Sequence, residues 1–432
     1  MKKRWLALLL AGAVTLSLLG GSVLAAEEDG AEQTAGQTES QGQEEDGAEG
    51  GETGREPEEN YIPDPVGTLT FENLERRMRE NNLTLLALEE NIQAIRAIDY
   101  DVMYEDIRQA LNSIASAQWT MITSVPGLGS MMASSLDAQY DALRDQFEAI
   151  KDGELQKDNE DAIWQLQALQ DQMVMAGETT YLAIVEMERN LQTLDRNLEA
   201  LDRSIQELEL RYELGQISSQ TLEQTRATRA SLLSSRQTLE SNISNYKFQL
   251  ELMSGGELTG TVQLGALPQV TNQQLTDMNL EEDLAAAKAA SYDLYEAQLT
   301  LDDARETYQD AGGDGYYNKD NYEWQTANHQ WKAAQYTYDA AVQNFETAFR
   351  TLYLQVKDCK QVLDAAGTAL AVERDNYAVV QLKYEQESVS YNELLDAQDT
   401  LDEAQDAVDA AEGDLFSAYH TYRWAVDHGI LN

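Results

Sequence analysis

The side chains best suited to metal or nucleophilic chemistry are few and far apart in this 432-residue chain. It has three histidines, His329, His420 and His428, and one cysteine, Cys359. A metal site needs ligands at short recurrent spacing, and a nucleophilic site needs a base beside the nucleophile. The sequence offers neither pattern. Cys359 has no second cysteine to pair with and sits on an apolar stripe, where a free thiol packs as a small apolar group. Asp310, Asp314 and Gly315 echo a calcium loop, but Gly312 and Asn321 stand where that loop needs carboxylates. No glycine-rich phosphate loop, nucleophile elbow or isolated acid pair stands out from the acidic background. We therefore expect no catalytic residues, no metal and no cofactor, and look for chemistry in contact surfaces instead.

Two segments could supply such surfaces. Residues 109–136 carry no charged side chain, in a chain that is 25% charged. They include Trp119, Met121, Ile122, Leu128, Met131 and Met132 around the turn Pro126-Gly127-Leu128-Gly129. One reading is an apolar distal tip, with Trp119, Met121, Leu128 and Met131 touching a membrane surface, a partner or a sister subunit. The other is a helix-turn-helix packed on its own bundle. Ser and Gln make the run too polar to span a bilayer, so any membrane contact is peripheral at most. Tyr316, Tyr317, Tyr322, Trp324 and Trp331 form a second concentration. They suit stacking on sugars or anchoring an interface, or else packing at a helix end.

The elements that must hold these residues are long helices. Ile184, Met187, Leu191, Leu194, Leu198, Leu201, Ile205, Leu208 and Tyr212 alternate steps of three and four, which places them on one helical stripe. Val356, Cys359, Leu363, Ala366, Leu370, Glu373, Tyr377, Val380 and Tyr384 repeat that stripe 172 positions later. Each stripe meets a similar break, Arg211-Tyr212-Glu213-Leu214-Gly215-Gln216-Ile217-Ser218 and Lys383-Tyr384-Glu385-Gln386-Glu387-Ser388-Val389-Ser390. Beyond the breaks the offset persists: Leu222, Leu232, Leu239, Ile243 and Leu250 answer Leu394, Ala404, Ala411, Leu415 and Tyr422. After Pro65 only Pro126 and Pro268 interrupt the helix-favouring composition. Thr70 and Asn279 are N-cap candidates followed by acidic first turns, and Ser254-Gly255-Gly256 ends the first repeat. The expected fold is all-α: elongated antiparallel helical hairpins, a coiled-coil bundle built from two internal repeats, with no β-barrel. Each arm should run about 35 residues, roughly 50 Å.

Outside the repeats, residues 1–25 read as a signal peptide: a basic head, an apolar run and small residues for cleavage. Its removal would take the formal charge from −47 to −50. Residues 26–66 are acidic and low in complexity, with almost nothing to bury, so they should remain a disordered linker. The first hairpin repeat spans 67–255, an extended connector 256–278, and the second repeat 279–428. So acidic a chain repels nucleic acid, which is not an expected partner.

Three features together resemble the TolC-like outer membrane efflux proteins over about residues 68–430. They are the opening Leu69-Thr70-Phe71-Glu72 through Glu80-Asn81-Asn82-Leu83, the two hairpin turns, and the close from Leu415-Phe416-Ser417-Ala418-Tyr419 to Gly429. The resemblance implies a homotrimeric tunnel whose hairpin tips meet a membrane-fusion adaptor, which joins an inner-membrane export pump of the ABC or a similar class. The matching tip residues are Tyr212, Gly215, Ser218, Tyr384, Ser390 and Leu394. Glu387 stands where the family has a second glycine, so that turn should be made differently. Family members insert two strands per repeat into a shared barrel, each needing about 9–11 alternating residues. Here Asp310 to Asn321 is too short and polar for two strands. The first slot reads as helix, through Ile107, Leu111, Ile114, Leu136, Tyr140, Leu143 and Phe147. The expectation is a barrel-less export component of the cell envelope, or alternatively a secreted structural coiled-coil envelope protein that transports nothing.

Overall fold

Scarce proline and abundant Ala, Leu, Glu and Gln let helices run until a cap or a left-handed residue stops them. The computed structural model describes residues 63–124, 136–256, 258–312 and 322–431. The chain divides into two units, Met1–Pro63 and Asp64–Asn432. The signal-peptide expectation and the linker expectation up to residue 62 lie outside the described residues; of the linker, 63–66 are described, with Asp64 bonded to Thr70. The second unit begins with β1 (Thr68–Leu69), then α1 (Phe71–Asn81), α2 (Leu83–Arg96), α3 (Tyr100–Ser124) and α4 (Asp137–Lys151). A long helix α5 (Glu154–Glu213) turns back into α6 (Ser219–Met253). The connector holds β2 (Gln263–Leu264) and α7 (Asn272–Asp277), so it is not extended throughout. The second repeat follows as α8 (Leu280–Ala290), α9 (Tyr292–Ala311), the long α10 (Tyr322–Glu385) and α11 (Tyr391–His428). The one departure from an all-α fold among the described residues is the parallel pair of two-residue strands, with Thr68 opposite Gln263 and Leu69 opposite Leu264.

The falling arms α6 and α11 have 35 and 38 residues, as the repeat spacing predicts. The rising arms α5 and α10 have 60 and 64, about 90–95 Å each, and overrun the expected length. Their extra turns run past the core, away from the hairpin turns. There α9 packs on the start of α10, and α4 packs on α3 and α5. The slot that the family fills with strands in the first repeat is helical in its described part, as its periodicity predicts.

Both repeats open alike: an 11-residue helix, one capping residue, then a second helix. Asn82 accepts the N–H of Thr84 and Leu85 and donates Nδ2–H to the Met253 carbonyl. Ser291 caps α9 at Leu294. Asn279 caps α8 as expected, but the Thr70 hydroxyl instead donates to Asp64 Oδ1 at 2.7 Å. One core gathers Leu74, Met78, Val174, Tyr181, Ile184, Leu250, Phe416 and Trp424. Phe71 lies edge-on to both Tyr181 and Phe416. The Tyr181 hydroxyl donates towards the Leu69 and Gly265 carbonyls, tying α5 to both strands. The other core gathers Leu284, Leu294, Phe349, Val356, Leu415, Ala418 and Tyr422. Cys359 packs half-buried against it, and burial pushes its thiol pKa up.

The first repeat is closed by Glu251, 3% exposed, which takes backbone N–H from Thr259, Gly260, Thr261 and Val262 at 2.7–3.1 Å. Burial opposes its charge, but these donors outweigh it and hold the pKa below the ordinary glutamate value.

The two hairpin turns correct one expectation. Gly215 N–H bonds the Tyr212 carbonyl and Gln216 N–H that of Arg211; Glu387 and Ser388 repeat the pattern on Tyr384 and Lys383. Both are Schellman closures. Gly215 has φ 68° and Glu387 φ 56°, so the second turn is made in the same way, by a glutamate held in the left-handed region. Its acidic side chain changes the strain and not the geometry. At the C-terminal end Gly429 (φ 67°) abuts Ser291, where a Cβ would stand 2.3 Å from the backbone N.

Replacing Glu387 by Gly should raise stability by about 1 kcal/mol, and Gly215→Ala should lower it by a similar amount. Gly429→Ala should cost more than either, because sterics add to strain. Urea unfolding followed by helical circular dichroism checks the order. At neutral pH Glu251→Gln should also destabilise. That loss should shrink as the pH falls below the glutamate pKa of about 4.3, since a depressed folded pKa contributes only above that range.

Candidate interaction sites

Apolar seams and ion pairs set the order of the four long helices. α6 packs on α5, α5 on α11, and α11 on α10, giving a layer ordered α6–α5–α11–α10 with alternating directions. Along α5, acids reach across to bases of α6: Glu188 to Lys247 at 2.7 Å, Asp195 to Arg236, Asp202 to Arg229, and Glu209 to Arg226 at 2.7 Å. The neighbouring arginines reach the other way, Arg196 to Asp406 and Arg203 to Asp399 on α11. Partly exposed pairs of this kind are worth roughly 0–1 kcal/mol each, so the ladder sets register more than stability.

The layer has two edges. On α10, Leu354, Val362, Val372, Val379 and Leu382 are all at least half exposed; Ala365 and Ala369 complete three-and-four spacing from Val362 to Val372, and exposed Asp358 and Asp375 stand in the flanking steps. On α6, Ala227, Ala230, Ser234, Gln237, Ser241, Asn245, Phe248 and Leu252 make an exposed stripe without a single charge. An uncovered seam on one edge and an uncharged stripe on the other are unusual on so acidic a chain.

At the turns the expected tip residues divide by role. Tyr212 and Tyr384 are exposed, and Tyr384 lies 6.0 Å from Tyr391. Gly215 makes the turn. Ser218 caps α6 at Thr221, and Ser390 forms a capping box with Glu393. Leu394 is half-buried and matches buried Leu222, so packing accounts for it. Leu210, Leu214, Leu382 and Tyr391, which sequence spacing passed over, supply more exposed apolar surface here.

At the opposite end α3 has no buried residue, and Trp119 is 69% exposed with Ile122 beside it. Met121 falls instead on the half-buried seam with Tyr104, Ile107, Leu111 and Ile114, whose Tyr104 stacks on Phe147 of α4 at 4.7 Å. Leu128 and Met131 lie outside the described residues, as do Tyr316 and Tyr317. Trp331 stacks on Tyr308 at 4.9 Å and Trp324 lies 5.8 Å from the same ring, so these two pack at a helix end. Tyr322 is exposed.

A polar latch that sequence reasoning missed joins α11 to the first repeat. Glu178, 4% exposed, accepts the Trp424 Nε1–H at 2.7 Å and meets His420 Nε2 at 2.8 Å. Eight residues after His420, His428 Nδ1 meets Asp171, which also takes Arg79 at 2.7 Å. The hydrogen bond to Asp171 raises the His428 pKa against the opposing effect of burial. Burial disfavours the Asp171 charge, yet His428 and Arg79 together hold its pKa below the ordinary value. Glu178 is the lone charge between Gln172 and Val185, a signal that could have found it. Among the described residues no cluster of three or more His, Cys, Asp or Glu could hold a metal. Nor is any described helix long and apolar enough to cross a membrane.

Antiparallel hairpins in duplicate define the class as a two-repeat helical-hairpin protein. No family model matches the sequence, and no curated protein sequence does. Among solved structures the chain is similar to the outer-membrane channel OprN, at 15% identity over 84% of this chain and 90% of that one, with a TM-score of 0.53. It also matches the outer membrane protein VceC from Vibrio cholerae, at 12% identity, 83% and 95% coverage and a TM-score of 0.46. CusC gives 14%, 83%, 96% and 0.47. At such identities the likeness is one of fold, and OprN carries it. The TolC-like resemblance holds at that level, with no closed barrel among the described residues.

A raised His428 pKa contributes stability below the unfolded value of about 6.5 and loses it as pH climbs through the folded value. Asp171 contributes above about 3.9 and fades as pH falls. The thermal midpoint difference between the native chain and His428→Ala should therefore peak between about pH 4 and 6.5 and shrink on both sides.

Proposed function

We propose that this chain is a TolC-like export component: copies close edge to edge into a helical conduit of the cell envelope. The observation that carries this reading is the open four-helix layer with an uncovered seam on α10 and an uncharged stripe on α6. Docking the α10 edge of one copy on the α6 edge of the next continues the alternation of helix directions. It is a heterologous contact, which yields a ring when the rotation closes. Like-charged copies approach most readily where carboxylates are few: the α6 stripe has none, and α10 carries no charge from Ala365 to Val372. The family resemblance supports three copies per ring.

Tyr212 and Tyr384, with the exposed leucines around them, suit docking of a membrane-fusion adaptor that leads to an export pump. Trp119 and Ile122 suit a peripheral contact at the far end. The fold of OprN, an outer-membrane channel, supports a conduit over a purely structural envelope rod.

Native mass measurement of the chain from residue 26 onward tests the central claim: a trimer is expected. Val372→Glu combined with Val379→Glu should give monomers with unchanged helicity, since each unpaired carboxylate buried in an interface costs about 3–5 kcal/mol. A native chain that stays monomeric at high concentration would instead leave the structural rod. Tyr212→Ala with Tyr384→Ala should weaken adaptor capture without changing the mass.

A further inference from the structure

The α5 ladder is incomplete at one end. Acid-then-base pairs recur at heptad spacing as Glu188-Arg189, Asp195-Arg196 and Asp202-Arg203. Arg203 meets Asp399 and Arg196 meets Asp406, so Arg189 calls for an acid at position 413. That position is Gly413. Arg189 Nη2 lies 2.6 Å from where a Cβ on Gly413 would stand. Its guanidinium makes no ion pair or side-chain hydrogen bond among the described residues. The missing side chain leaves part of a groove of about 360 Å³ bounded by α5, connector residues 266–270, α10 and α11. Leu267, Val270 and Leu363 belong to its apolar wall, and Asp409 and Glu412 stand on its α11 side. Gln269 Nε2–H holds Glu412 at 3.2 Å.

We propose that this groove binds a small zwitterion with an apolar side chain, of the α-amino-acid class. The carboxylate pairs with Arg189, the ammonium faces Asp409 and Glu412, and the aliphatic body covers the apolar wall. A guanidinium presents a planar fork that matches a carboxylate. A simple anion would meet two like charges on the same rim, and a simple cation would leave Arg189 unpaired. The volume falls at the lower end of the roughly 300–1,000 Å³ usual for small-molecule sites. This site stands whether or not copies form a conduit.

Calorimetric titration of the full chain with L-leucine tests it, beside 4-methylpentanoate and isoamylamine, which each carry one of its two charges. Leucine should bind saturably and each half-molecule at least about tenfold more weakly. Gly413→Asp restores the absent rung by giving Arg189 its acid. It should lower leucine affinity at least about tenfold with the unfolding midpoint kept or raised, and Arg189→Gln should lower it as far. No saturable leucine binding up to about 10 mM would overturn the site. So would half-molecules that bind as well as leucine, or an affinity unchanged in Gly413→Asp.

Discussion

About the last four turns of α11 are wedged between two apolar cores, and the rest of the molecule is aligned from that wedge. Phe416 and Trp424 enter the first core while Leu415, Ala418, Tyr422, Ala425 and Val426 enter the second. A helix apolar on so many faces is satisfied only when surrounded. Deep insertion of Trp424 would strand its N–H, so a buried glutamate, Glu178, is kept within 2.7 Å of it. Tyr422 likewise donates to Asp283 on α8. The two repeats are thus held in one register by a helix that belongs to both. The turns, about 45 Å further along at the helical rise, inherit their relative positions from it.

Beyond the cores the helices separate from bulk apolar packing and are guided by charge. The chain is strongly acidic, and several of its bases bridge neighbouring long helices. Acids on α5 face bases on α6 and arginines on α5 face acids on α11, seven residues apart each time. Such pairs cost little to break singly, and a shift of register would break them together. Charge is absent from the α6 stripe and sparse on the α10 seam, where the surface turns to small and apolar side chains.

The far end shows how one fold can tolerate a different ending. α3, α4, α9 and the start of α10 continue the helical packing through seams of their own, with Tyr104 on Phe147 and Tyr308 on Trp331. Because α5 and α10 run unbroken from the core into this region, the extension is a mechanical continuation of the hairpins. The chain is thus similar in fold to OprN, with helices in the described part of the slot where the first repeat was expected to differ from a strand pair.

Periodicity along the sequence determined the long helices, their duplication and the sites of both turns, because a helical seam is written in residues three and four apart. The acid-base pairs of α5 were equally legible at seven-residue spacing, yet their partners on α6 and α11 were not. Which face of a helix meets which neighbour depends on packing between distant segments. The turn at Glu387 was misread for a related reason: glycine is the usual left-handed residue, and only the surrounding Schellman bonds hold a glutamate there. The capping bonds of Ser218 and Ser390 and the half-burial of Leu394 came into view only with their neighbours. The latch of Glu178, His420 and Trp424 joins residues more than 240 positions apart. Local spacing carries local structure, whereas burial, unpaired charge and exposed edges are properties of the assembled chain, decided only when the two repeats close on α11.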